Sequence, residues 1–450
     1  MPYLLFIFAF FIRLIGLNQS LWLDEATTAR VVQQYSFLGI LTKFSPFDFH
    51  PPLYYWLIKF WTNIFGYSEI SLRMPSVIFS LLTGYIVYKI ARLLNGHMAG
   101  VWSAVFFLFN PLIVYYSQEA RPYMMVTFTL TTALYYLSKI LKNSKVSKLN
   151  INIVLFNVFL ILSLFTFYGS IFLVIAFLIL YLYKKQYKNL LICLFVVFFY
   201  LLMISPLLYQ QFTNAKVSLS SVTNWSLVLG KANMKNLLLI PIKFSIGRID
   251  FYPKWLYYLI AGGWTIFILS QIANLKSKNQ NFNLKTWLLF LLITPLILGF
   301  IVSFFTPLLQ YFRFIYLIPI VAILLGLNIN TTIIRIIVTA GFLIFSFIYL
   351  LIPNFHREDW KSLTKSLPAK SVVYMIKSSS DPLLYYNSKL VINELTGFEN
   401  LASLPNKIII VPYTSEIYGY NYQEKLLKKN YQLRKKITFR NLYFEQWNKQ

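Results

Sequence analysis

Apolar runs long enough to span a bilayer recur along roughly the first three quarters of this chain, and that recurrence leaves few folds open. A hydrocarbon core of about 30 Å admits only structures that satisfy their own backbone, and an apolar stretch of about 20 residues does so as a helix. Runs at about 2–18, 75–93, 98–116, 123–140, 151–168, 169–183, 189–209, 254–272, 286–304, 311–328 and 332–352 meet that description. The expected fold is a polytopic α-helical membrane protein, with about 11 transmembrane helices within residues 1–352. Composition agrees. Of 450 residues, 58% are hydrophobic and 12% are charged, about half the charged share of a soluble domain. Arg13 interrupts the first run and no small-residue cleavage site follows it, so the run reads as an uncleaved span.

A net charge of +27 does not point to nucleic acid here. No basic stripe lies on a soluble fold, and many Lys and Arg residues sit in short connectors. The segments "KNSKVSK" (142–148), "KKQYK" (184–188) and "LKSKNQNFNLK" (275–285) carry Lys and no acid. Placing them in the cytoplasm puts the N-terminus inside and the C-terminus outside. All 14 Asp and Glu residues then fall on the outer side, six of them before the C-terminal region: Asp24, Glu25, Asp48, Glu69, Glu119 and Asp250. Acids contribute little to insertion, so this one-sidedness points to chemistry on the outer face. Cys193, the single cysteine, falls in an apolar run and is read as a packing residue, which excludes disulfides and Cys-based metal sites.

Three outer regions are too long to be connectors. The first, 19–74, should hold its own structure. Within it "PPLYYWLIKFWTNIFG" places Leu53, Trp56, Leu57, Phe60, Trp61 and Ile64 on one apolar face, with Pro51 and Pro52 at a helix start and Gly66 at its end. Too short to span, this helix suits the membrane interface, and the segment from Asp24 to about Leu41 reads as a second such helix. The second region, 210–253, sets Lys216, Lys231, Lys235, Lys243 and Arg248, with Lys254 just beyond, against Asp250 alone. It is either a solvated loop or a surface for anionic headgroups or a substrate phosphate. From residue 353 to 450 the composition becomes that of a small external α/β domain. Strands are expected at 371–376, 389–392 and 406–413, a helix at 422–430, and a closing hairpin in "LRKKITFRNLYFEQW". Glu358, Asp359 and Trp360 suit the cap of its first helix.

Four groups of residues are candidates for chemistry. Asp24 and Glu25 stand side by side at a membrane edge, where acids are costly unless solvated or partnered; Asp24 also suits a helix N-cap. Asp48 and His50, two apart before the Pro pair, either face a metal or phosphate together or reflect a His positioned by a rigid turn. Glu119 and Arg121 lie in a tight hairpin, where Arg121 either grips a phosphate or pairs with Glu119. Arg313, in "FTPLLQYFRFIYLIP", either snorkels or lines a cavity.

Taken together, "LWLDEA" after the first span, "HPPLYYW" in the first external loop and "YSQEARPY" in the second resemble the GT-C glycosyltransferases. The likeness is to the protein O-mannosyltransferase and aminoarabinose-transferase-like branch, over roughly residues 1–360. It implies an integral membrane enzyme that takes a single sugar from a polyprenyl-phosphate carrier and delivers it to a lipid, glycan or protein acceptor on the outer face. Position by position, it implies Asp24 as catalytic base and Glu25 as its acidic neighbour. Arg121 would meet the donor phosphate, with Arg313, Lys243 and Arg248 as further cations, and Asp48, His50, Glu119 and Tyr123 would line the substrate pocket. Some relatives carry Lys at the His50 position, with Glu before it; here Phe49 stands there. A divalent metal is the one cofactor this region raises, with Asp48 and His50 as its candidate ligands.

The chemistry of the residues is consistent with that reading. A polyprenyl phosphate leaves without a proton donor, so one base and cations on the phosphate suffice. Adjacent Asp24 and Glu25 cannot flank a sugar as a glycosidase pair does. Inversion at the sugar is implied by the resemblance. Two other readings stay open: a lipid-linked oligosaccharide polymerase or ligase, and a transporter or flippase. The latter favours mid-span ionisable residues in paired halves, a pattern this sequence does not display.

Overall fold

The computed structural model describes residues 2–142, 151–222, 224, 229–273, 282–400 and 405–450. Most of the two Lys-bearing connectors 142–148 and 275–285 lies outside these residues. Each expected apolar run is mostly helical in its described part. Among the described residues, 7 helices are long and apolar enough to cross a membrane, and three more apolar helices of 10–17 residues accompany them.

The first helix, α1 (Pro2–Leu14), is followed by the loop helices α2 (Leu23–Gln34) and α3 (Leu53–Phe65) and then by α4 (Glu69–Leu108). The last is two helices joined at Asn95 and Gly96, whose backbones leave the helical region. Gly96 sits at φ +80°, ψ −178°, a conformation nearly closed to side-chain-bearing residues. The expected span 98–116 does not run through. It stops at Leu108, and Asn110 caps a new short helix, Pro111–Ser117, by accepting from the Leu112 and Ile113 amides. Pro111 lacks an N–H and suits a first helical position, which is why the chain restarts there.

Arg13, which interrupts the first apolar run, is fully buried. It donates to Ser80 Oγ and to the Leu108 and Ala9 carbonyls, each at 2.8 Å. The guanidinium thus ties α1 to both halves of α4. In α3 the buried face is Tyr54, Tyr55, Ile58 and Thr62, whereas Phe60 and Ile64 of the apolar stripe are exposed. Phe60 and Ile64 are left uncovered by protein, as a helix lying in the membrane interface requires, while Leu53, Trp56 and Leu57 of the same stripe are partly buried against their neighbours. The outer segment after 209 is no irregular loop at first: the helix Tyr187–Ser221 continues through it, and Gln211 and Asn214 bond the Ser45 and Pro46 carbonyls.

The C-terminal region forms a five-stranded sheet of β1 (Val372–Met375), β2 (Val391–Glu394), β3 (Lys407–Ile410), β4 (Tyr431–Phe439) and β5 (Leu442–Lys449), in the order β2-β1-β3-β5-β4. Strands β1, β2 and β3 are parallel, and β4 and β5 form the closing hairpin. The sheet is covered on both faces, by Trp360 and Leu363 on one and by Tyr422 and Leu426 on the other. This region packs onto the first loop. Tyr386 Oη accepts the Leu21 amide at 2.9 Å, Tyr385 donates to the Tyr67 carbonyl, and Lys361 pairs with Glu69 at 2.9 Å.

Gly96→Ala should lower stability by about 1–3 kcal/mol, because only the backbone is strained; no atom lies within 4 Å of the added Cβ. Gly262→Ala, equally open but inside a regular helix, should be neutral or stabilising. Thermal unfolding of both variants in detergent checks the contrast.

A candidate active site beneath the C-terminal domain

The site is organised by Glu25. Its carboxylate is fully buried and receives Arg73 Nε at 2.8 Å and Nη2 at 2.6 Å. It also accepts the Ala120 amide at 2.7 Å. Arg73 spends its remaining donors on the carbonyls of Leu17, Gln19 and Ser20. One forked pair therefore joins the end of the first span, α2, α4 and the second loop. Both carboxylate oxygens of Glu25 are therefore engaged by the protein itself.

Asp24, one residue earlier, has the opposite environment. It does not cap α2, since Trp22 occupies the N-cap without a side-chain bond and Asp24 lies in the first turn. Its carboxylate meets Arg121 Nη2 at 3.1 Å and keeps 36% of the side-chain surface exposed. Arg121 does not pair with Glu119; that carboxylate binds Arg357 at 3.0 Å. The Arg121 Nε is buried and has no hydrogen-bond partner.

An aromatic wall continues from Arg121. Its guanidinium stands 5.8 Å from the Tyr123 ring, and Tyr123 packs edge-on against Phe312 and Phe167. Arg313 stacks near Phe312 at 5.9 Å and donates to the Pro307 carbonyl. It lines this wall and is not lost to the headgroups. On the other branch His50 stacks on Phe167 at 5.9 Å. Asp24, Arg121, Tyr123, Arg313, Asp48 and His50 are thus brought together.

Asp48 Oδ2 accepts the Tyr55 hydroxyl at 2.7 Å and lies 3.6 Å from His50 Nδ1. Burial would raise the Asp48 carboxyl, but His50, Tyr55 and Arg121 outweigh it and hold the group below the usual carboxylate range. The described residues contain no group of three His, Cys, Asp or Glu side chains placed to hold a metal ion. Two donors, one already engaged by Tyr55, fall short of the three protein ligands of a catalytic metal. Asp48 and His50 thus do not make a zinc site of that kind.

Arg248 and Lys243 lie apart from this cluster. Arg248 donates to Tyr115 Oη and stacks on that ring at 5.2 Å, and Arg357 approaches the same ring at 5.8 Å. Lys243 is buried and spent on the Ile249 carbonyl and the Tyr257 hydroxyl at 3.1 and 3.0 Å. Burial, opposed by Asp250 and reinforced by Arg248 and Lys254, lowers its ammonium from 10.5 to about 8.

Arg73 and Arg357 have no place in the sequence-based expectations. Arg73 is a lone Arg near a span start, the same signal that singled out Arg313. Arg357, in "HRED", passes for linker charge; it stacks on Trp22 at 3.7 Å and reaches Glu119.

Residues 49–210 match the family described as dolichyl-phosphate-mannose-protein mannosyltransferase. ArnT from Cupriavidus metallidurans in the apo state is similar with a TM-score of 0.64 at 11% identity, covering 99% of this chain and 97% of that one. The same protein bound to undecaprenyl phosphate gives 0.61. An oligosaccharyltransferase of Archaeoglobus fulgidus, in complex with zinc and sulfate, gives 0.50 at 13% identity, over 86% of this chain and 62% of that one. An uncharacterized protein of Aquifex aeolicus (strain VF5) is 28% identical over 86 residues, which is 19% of this chain and 17% of that protein.

Glu25→Gln or Arg73→Met alone should cost about 3–5 kcal/mol by leaving a buried charge unpaired. The double variant should recover part of that loss, as thermal unfolding of all three would reveal. Lys243 titrates lower folded than unfolded, so its contribution is complete above about pH 10.4 and lost as pH falls through about 8. Between those values the wild-type melting temperature should rise with pH more steeply than that of Lys243→Met.

Proposed function

We propose that this chain is a membrane glycosyltransferase that moves one sugar from a polyprenyl-monophosphate carrier to an acceptor hydroxyl, with Asp24 as general base. One observation carries the reading. Asp24 is held by Arg121 at 3.1 Å yet stays more than a third exposed, beside an arginine whose buried Nε has no partner. A base and a phosphate-binding cation therefore stand next to each other, and the base remains reachable.

The acceptor hydroxyl gives its proton to the Asp24 carboxylate as its oxygen bonds to C1 of the sugar. The C1–O bond to the phosphate breaks, and its electron pair leaves with the carrier monophosphate. Arg121, with Arg313 along the same wall, offsets the negative charge that develops on the phosphate. No proton donor for the leaving group is needed. With Glu25 closed off, one carboxylate serves one displacement, which supports inversion at C1. Lys243 is too committed to contribute, and Arg248 acts from the Tyr115 side. The similarity to ArnT in its undecaprenyl-phosphate complex supports the carrier, and a lipid, glycan or protein can supply the hydroxyl. The Lys-bearing connectors favour a cell-membrane location with this face outside.

The similarity to an oligosaccharyltransferase favours a second reading, transfer of a whole oligosaccharide from a diphosphate carrier. Purified protein incubated with a panel of polyprenyl-phosphate monosaccharides and diphosphate oligosaccharides separates the two by which carrier is released. Asp24→Asn should reduce turnover by about 10²–10⁴-fold with carrier binding retained. Undiminished turnover in that variant would remove Asp24 from the base role.

A further inference from the structure

We infer that Glu358 and Tyr413, brought to the site by the C-terminal domain, form the acceptor subsite, and that it takes an uncharged saccharide through neighbouring hydroxyls. The inference rests on the glycosyltransfer reading above and adds the class of acceptor.

The topology of the sheet places a binding edge toward the catalytic helix. The chain runs from β1 to β2 on one side and then crosses to β3 on the other side of β1. The crevice at the carboxyl ends of β1 and β3 is therefore a topological switch point, where open α/β sheets collect their ligands. This edge is turned to α2. Asp381, a few residues beyond β1, accepts the Thr27 hydroxyl at 2.8 Å and lies 3.9 Å from Arg30. Tyr413, just beyond β3, packs edge-on against Trp360 at 4.8 Å and donates its hydroxyl to Glu358 Oε1 at 3.3 Å. Burial raises the Tyr413 phenol above its ordinary range; the Glu358 and Asp24 carboxylates add to that rise and the Arg357 guanidinium opposes it.

Two buried polar atoms here lack partners. Glu358 Oε2 has no hydrogen bond, and neither has Trp22 Nε1, directly ahead of α2. Orphaned buried groups are costly and call for a reason. Helix capping is not that reason, because Asp359 already caps Trp360–Ser366 by accepting the Ser362 amide. Nor does Glu358 form an ion pair among the described residues. One free acceptor and one free donor beside an exposed base suit a hydroxyl-rich ligand. The first hydroxyl would meet Asp24 and its neighbour Glu358.

The chemistry also separates donor from acceptor. Arg121 and Arg313 lie on the aromatic wall, whereas this side offers carboxylates, a phenol and an indole N–H, and the one guanidinium stacked on that indole, Arg357, is already paired with Glu119. With Arg357 neutralised by Glu119, the Asp24 and Glu358 carboxylates disfavour a phosphorylated acceptor.

The test uses the full-length protein in lipid nanodiscs. Saturation-transfer NMR measures binding of mannobiose, chitobiose, lactose and, as charged counterpart, glucose 6-phosphate; undecaprenyl phosphate is titrated separately. At least one neutral disaccharide should bind, and glucose 6-phosphate more weakly. Glu358→Gln should weaken the disaccharide about tenfold and Tyr413→Phe several-fold. Both variants should melt like wild type and bind undecaprenyl phosphate within about twofold of it. Equal disaccharide affinity in both variants, preference for glucose 6-phosphate, or failure of every neutral disaccharide overturns the subsite. Failure of undecaprenyl phosphate to bind the wild-type protein instead counts against the carrier reading.

Discussion

The buried pair of Glu25 and Arg73 is the interaction on which the site depends. A carboxylate and a guanidinium taken out of water repay their desolvation only when every remaining donor and acceptor is used. Here they are: two forked bonds between the partners, three carbonyls on Arg73 and the Ala120 amide on Glu25. The gain is positional. Because Glu25 is locked, the start of α2 has one orientation, and its neighbour Asp24 is turned to Arg121. The Ala120 bond fixes the second loop in the same stroke, so both partners of the Asp24–Arg121 pair are placed by one anchor.

Around that anchor the charges sort by task. Arg13, Arg73 and Lys243 are consumed in holding backbone carbonyls, and they stabilise turns and helix contacts. Arg121 and Arg313 line an aromatic wall and keep capacity for an anion. Glu119 and Arg357 neutralise each other where the C-terminal region meets the first and second loops. The Lys361–Glu69 pair and the Tyr386 contact add to that joint. The C-terminal region is therefore not a separate appendage, since Asp381, Tyr386 and Lys361 bond α2, the segment ahead of it and the start of α4.

Much of this organisation was legible in the chain. The apolar runs, the aromatic helix after "HPP", the strands and hairpin of the C-terminal region and the placement of Asp24 and Arg121 in outer loops all follow from local pattern. Of the alternatives the sequence left open, an Asp24 cap and a Glu119–Arg121 bridge are short-range readings of groups whose partners lie far off in sequence. Glu25 finds Arg73 48 residues away, and Glu119 finds Arg357 at a separation of 238. Lys243 was drawn in by its charge alone, and only its burial reveals that the charge is spent.

Sequence alone determined that this chain lives in a membrane as a bundle of helices, because an apolar run in hydrocarbon has one way to satisfy its backbone. It also determined which few ionisable residues break that rule. Tertiary structure decided what each of them does. Two adjacent acids, alike in chemistry, differ in role because one is sealed against an arginine and the other is left open beside one. Burial and distant partners set that difference, and neither is written in the residues next door.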